Sequence, residues 1–104
     1  MTNEPVRRIY VPVPHVAVTI DDTFWSPRLE ANRTQTIPIE YEQCRITGRI
    51  DALLLGWQPG DVPVPHIFWD SDIAKWIEAA SYALALHPDA ALDAQIDEVI
   101  ALLA

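Results

Sequence analysis

"HIFWDSDIAKWIEAASYALALHPDAALDAQIDEVIALLA", residues 66–104, decides how this chain is built. Ile73, Trp76, Ile77, Ala80 and Leu84 recur three and four positions apart, which lays them along one stripe of a helix. His87-Pro88-Asp89 ends that helix. Leu92, Ile96, Val99, Ile100 and Leu103 make a second stripe directly after it. A link this short folds the second helix back on the first, so the spacing predicts an antiparallel helical hairpin. The closing "IDEVIALLA" is still periodic, with no glycine, basic turn or proline to stop it. It reads as a chain interrupted in mid-element, which makes truncation an expectation.

Upstream the pattern is less regular. Residues 1–15 hold three of the nine prolines and read as extended. Val16–Ile20, "VAVTI", reads as one short strand, with nearby prolines placing it at a sheet edge. A strand needs partners, and no second convincing strand is present. The expected division is therefore an extended segment with one strand at 1–20 and a helical region at 21–104. Ser26 and Pro27 suit the cap and first position of a helix. Pro38 should then kink it or start a new one that runs to a stop at Gly48. Asp51–Leu55 reads as a helical turn. Gly56, Pro59, Gly60, Pro63 and Pro65 then impose a long irregular loop, a kind of segment that often carries function.

Composition bounds the function. The 104 residues suffice for one small domain, and 50% hydrophobic with 21% charged residues is globular, not disordered. A net charge of −8 argues against nucleic acid or an anionic membrane as partner, because both require a basic patch. No apolar run approaches membrane-spanning length. The N-terminus has no unbroken apolar core of a signal peptide, and the single cysteine, Cys44, cannot form an internal disulfide. A cytoplasmic location is the expectation.

The candidate chemistry is sparse. Asp70 and Asp72, two apart on a helix, point about 200° away from each other, so they do not form a facing acid/base pair. Two readings of Asp70-Ser71-Asp72 stay open. They can cap the free amides of the helix that they begin, where acidic groups also suit the positive helix end. Alternatively, with Phe68-Trp69 before them, they can grip a sugar, whose apolar face stacks on an aromatic ring while its hydroxyls find acceptors. His15, His66 and His87 have no partner at metal-ligand spacing and read as structural or solvent-facing. Cys44 reads as a small buried residue and Trp76 as core. Arg28 and Asn32 share a helical face that reads as solvated. Gly48, Gly56 and Gly60 are too scattered for a phosphate loop. No complete catalytic set is present.

Three stretches together, "DTFWSPRLEANR" (22–33), "YEQCRITGRIDALLLGWQPG" (41–60) and the 66–104 segment, resemble the N-terminal part of glycoside hydrolase family 127, the bacterial β-L-arabinofuranosidases and their relatives. The most specific element is F-x-D-S-D-x-x-K-W, carried here by Phe68, Asp70, Ser71, Asp72, Lys75 and Trp76. The resemblance implies a mainly α chain holding an N-terminal strand and the first helices of an (α/α)6-type catalytic barrel, incomplete in this chain. The strand would join a β-sandwich built mostly from later sequence.

The resemblance also implies a retaining hydrolase acting on terminal β-L-arabinofuranosides of an oligosaccharide. In that family a cysteine thiolate is the nucleophile, a glutamate the acid/base, and a zinc held by three cysteines and a glutamate binds the nucleophile. Zinc would keep the thiol deprotonated. None of these groups maps to the present residues, so the 104-residue chain is expected to be inactive alone and without its own zinc. Phe68, Asp70 and Asp72 are the positions that carry over as candidate substrate contacts. Two alternatives stand beside this reading: a stand-alone carbohydrate- or partner-binding helical module, and one half of a split enzyme whose second chain brings the catalytic residues. An excess of exposed apolar helix surface would favour a fragment or a split half; a compact monomer would favour the module.

Overall fold

The computed structural model describes residues 9–104. Residues 1–8 of the expected extended segment lie outside them. The helices run in the order α1 (Trp25–Ala31), α2 (Ile37–Ile46), α3 (Trp69–Leu86) and α4 (Ala90–Leu103). Short 3-10 turns fall at His15–Ala17 and Asp51–Leu54. The chain is thus mainly helical, as the periodicity predicts, and fits the opening part of an α/α barrel.

The expected strand at Val16–Ile20 does not form, and there is no strand among the described residues. Val18 does have extended backbone (φ −111°, ψ 124°). What it lacks is a partner strand, since everything around it is helical. Instead the His15 ring bonds the Tyr82 carbonyl across 3.1 Å and packs edge-on to the Tyr82 ring, which ties the 3-10 turn to α3.

The start of α1 also differs from the sequence reading. The helix begins at Trp25 with Phe24 at the N-cap position, and the side chain that meets its free amides is Asp22, not Ser26. The Asp22 carboxylate accepts from the backbone N–H groups of Phe24, Trp25 and Ser26. Ser26 reciprocates, with its Oγ accepting the Asp22 N–H at 3.2 Å. Pro27 is tolerated inside the first turn because that N–H would have had no helical partner.

At Pro38 the second of the two expected outcomes holds: a new α-helix, α2, starts at Ile37 with Pro38 in its first turn. A π-helical segment at Asn32–Thr36 joins α1 to α2, and the Ile37 N–H reaches back five residues to the Asn32 carbonyl. The register shift occurs where the ladder must be interrupted in any case, because Pro38 donates no N–H.

α2 ends as expected at Gly48. The Arg49 N–H bonds the Cys44 carbonyl at 3.0 Å and the Gly48 N–H bonds the Arg45 carbonyl at 3.2 Å. Gly48 holds the left-handed conformation, φ 78°, that this double-bonded stop requires.

The core lies where α2, α3 and α4 meet. Ile73, Trp76 and Ala80 from α3 are buried against Leu92, Ile96 and Val99 from α4 and against Ile37 and Cys44 from α2. The Trp76 indole N–H donates to the Ile37 carbonyl at 3.0 Å, so the largest core side chain leaves no buried donor unmet. Asp89 caps α4, accepting from the N–H groups of Ala91 and Leu92. Ile100 and Leu103 belong to the predicted stripe yet stay 45% and 57% exposed, whereas Val99 and Leu102 beside them turn toward the core.

Candidate functional site

The long loop after Leu55 delivers the chain to the head of α3. Its tip is folded on itself: the Trp57 indole donates to the Asp61 carbonyl at 3.1 Å, and the Asp61 carboxylate accepts the Gln58 N–H. At the far end the Trp69 N–H bonds the His66 carbonyl, and the His66 ring nitrogen Nδ1 accepts the Phe68 N–H at 3.1 Å. His66 therefore works as a local anchor, and its ring lies 5.5 Å from that of Phe68. Phe68 itself is 58% exposed.

The Asp70-Ser71-Asp72 group divides into different tasks. The Asp70 carboxylate accepts the N–H of its neighbour Ser71 at 2.8 Å and otherwise faces solvent. That satisfies one free amide of the first turn, so part of the capping role is real. Ser71 Oγ donates to the Phe68 carbonyl, and the Asp72 N–H donates to the same carbonyl at 2.9 Å. Neither Asp70 nor Ser71 is the formal N-cap, which is Phe68.

Asp72 turns away from Phe68 and Asp70, toward α2. Its Oδ2 accepts from Arg49 Nε at 2.8 Å, and the same guanidinium donates through Nη1 to Thr47 Oγ1 at 2.9 Å. The hydrogen bond from Arg49 is the main reason the Asp72 carboxyl stays below the usual aspartate range. The pair borders an open cleft of about 530 Å³ between α2 and α3, whose wall also includes Glu40, Gln43, Cys44 and Lys75. Of the three candidate residues, Asp72 reaches this cleft; Phe68 and Asp70 do not line it and are each exposed at the helix head.

Arg49 is the functional candidate that sequence reasoning missed. Its only signal was a basic residue directly after a helix-ending glycine; a partner 23 positions away could not be read from spacing.

The zinc that the resemblance implies does not fit these residues. Cys44 is the only cysteine in the chain, and burial pushes its thiol above the ordinary range. Among the described residues, no three His, Cys, Asp or Glu side chains gather where they could hold a metal. No helix of the described residues is long and apolar enough to cross a membrane.

Comparison with known proteins gives this geometry a context. Residues 17–104 match the β-L-arabinofuranosidase, GH127 catalytic domain family. A non-reducing end β-L-arabinofuranosidase of Bifidobacterium longum subsp. longum is 53% identical over 38 residues, which make up 36% of this chain and 6% of that protein. The chain thus spans a small fraction of the length of the curated relative it matches. No solved structure matches it significantly. With the match extending from the 3-10 turn to the end of α4, the chain belongs to the GH127 catalytic domain family of β-L-arabinofuranosidases.

Proposed function

We propose that these residues form one sugar-facing edge of a retaining glycoside hydrolase that removes terminal β-L-arabinofuranosyl units from oligosaccharides. The observation that carries this reading is that Phe68 and Asp70 are both solvent-exposed at the head of α3. A half-exposed ring can stack on the apolar face of a furanose, and a solvent-facing carboxylate can accept from its hydroxyls. Asp72 contributes from one step back, because its carboxylate is already engaged by Arg49.

The bond-breaking groups lie outside these residues in this reading. A cysteine nucleophile, a glutamate acid/base and the zinc site belong to other parts of the catalytic domain, and the 104-residue chain binds sugar weakly without hydrolysing it. The lone cysteine fits a reducing, cytoplasmic setting. Exposed apolar residues on several helices, among them Leu29, Ile39, Ile46 and Leu103, favour a portion of a larger helical domain over a stand-alone module.

The test is a titration of the isotopically labelled chain with methyl β-L-arabinofuranoside, following backbone amide signals. Shifts confined to Phe68, Trp69, Asp70 and Ser71 are expected, with no release of arabinose. Absence of shifts at these positions, or shifts of equal size with an unrelated pentofuranoside, would sink the reading.

A further inference from the structure

The geometry points to Arg49 as a positioning residue for the Phe68–Asp70 edge, clamping the first turn of α3 to the end of α2. The inference rests on the sugar-facing reading of that edge. Arg49 begins from a fixed platform: its own N–H is bonded to the Cys44 carbonyl, in the double-bonded stop of α2. From there the guanidinium spans two elements at once, with Nη1 on Thr47 Oγ1 at the end of α2 and Nε on Asp72 Oδ2 in the first turn of α3.

Asp72 in turn is joined to Phe68, since its N–H donates to the Phe68 carbonyl. The links run without a gap from the α2 terminus through Arg49 and Asp72 to the residue whose ring is exposed. The ion pair is mostly shielded, with side chains 22% and 30% exposed, so it is less screened than a pair standing in water.

A second contact acts on the same region from the loop side. Gly48, next to Arg49, is buried and lies against Pro63, which fixes the loop five residues before Phe68. Arginine is suited to the task because its planar fork serves two acceptors in fixed directions; a lysine carries its three donors on a single rotating ammonium and lacks that fork.

The experiment compares the wild-type chain with Arg49→Lys and Arg49→Met, by amide hydrogen exchange and by titration with methyl β-L-arabinofuranoside. Arg49→Met is expected to speed exchange of the Asp72 amide by about tenfold and to leave the Ala80 and Val99 amides within about twofold. Sugar affinity should fall by about fivefold, with Arg49→Lys intermediate on both readouts.

Unchanged exchange at Asp72, or equal acceleration at Ala80 and Val99, would overturn the proposal, the second by showing a general structural role. So would a loosened Asp72 with unaltered sugar affinity. If the wild-type chain shows no response to the sugar, the sugar-facing reading falls. The exchange comparison then still decides whether Arg49 clamps the turn. Should Arg49→Met fail to fold, Arg49→Lys supplies both readouts.

Discussion

Gly48 faces Pro63 so closely that a Cβ on the glycine would lie 2.8 Å from Pro63 Cγ. Two costs therefore coincide at one position. The left-handed φ of 78° disfavours any L side chain, and the added methyl would push on a ring that belongs to the loop before α3. Gly48→Ala is expected to lower unfolding stability by about 1–2 kcal/mol, measured by urea denaturation. Gly56→Ala is the control: its Cβ would meet nothing within 4 Å and its φ is not left-handed. That substitution should be neutral or stabilising by up to about 1 kcal/mol. Equal effects at the two glycines would show that the Gly48–Pro63 approach has no energetic weight.

The helical hairpin depends on Asp89 for its turn. Its carboxylate accepts from two N–H groups of α4, which otherwise have no helical acceptor. Asp89→Ala should cost about 1 kcal/mol, whereas Asp89→Ser should keep most of the stability because serine also caps well. A thermal unfolding series of the two variants checks this; a harmless alanine would mean that α4 is held by its apolar stripe alone.

Cys44 is 6% exposed between α2 and α3, and burial raises its thiol pKa. Both effects suppress the reactive thiolate. Labelling by an aromatic disulfide reagent at neutral pH should run more than about tenfold slower in the native chain than in the denatured one. Native and denatured rates that agree would show that the α2–α3 contact opens freely.

Much of this architecture could be read from residues 66–104, because two apolar stripes with a His-Pro-Asp break leave few alternatives to a hairpin. The stop at Gly48 was equally legible, since a glycine after a helical run has a specific backbone task. Three features were not. The capping side chain of α1 shifted from Ser26 to Asp22, because a carboxylate ahead of the helix competes for the same amides. The strand at Val16–Ile20 failed because β-propensity acts only through a partner strand, a non-local property. At the candidate site, the motif containing Phe68, Asp70 and Asp72 was visible, but its division was not. Which aspartate is held by Arg49, far away in the chain, depends on how α2 meets α3.

Acid should reveal that division. The Arg49 hydrogen bond holds the Asp72 carboxyl below its ordinary value of 3.8. A group whose pKa is lower when folded stabilises the native state above its unfolded pKa, and that stability is lost as the pH falls through the folded value. The chain should therefore weaken as the pH drops below about 4, and Asp72→Asn should flatten part of the slope. Glu42, lowered by its hydrogen bond to Arg45, acts with the same sign, so the slope will not vanish. An acid limb identical in wild type and Asp72→Asn would remove Asp72 from the account.

Phe68 separates stability from binding. Its ring is 58% exposed and belongs to no core cluster, so its removal opens no cavity. Phe68→Ala should leave stability within about 0.5 kcal/mol of the wild type. If the ring stacks on a furanose, the same substitution should weaken binding of methyl β-L-arabinofuranoside by about three- to tenfold, the usual range for one aromatic contact. Phe68→Trp should keep the affinity, because a larger apolar face remains at the same helix head. Thermal unfolding and the amide titration measure the two quantities independently. A variant that unfolds more readily would assign Phe68 a packing role hidden by its exposure. One that binds as tightly as the wild type would remove the ring from the sugar contact and leave Asp70 to explain any binding seen.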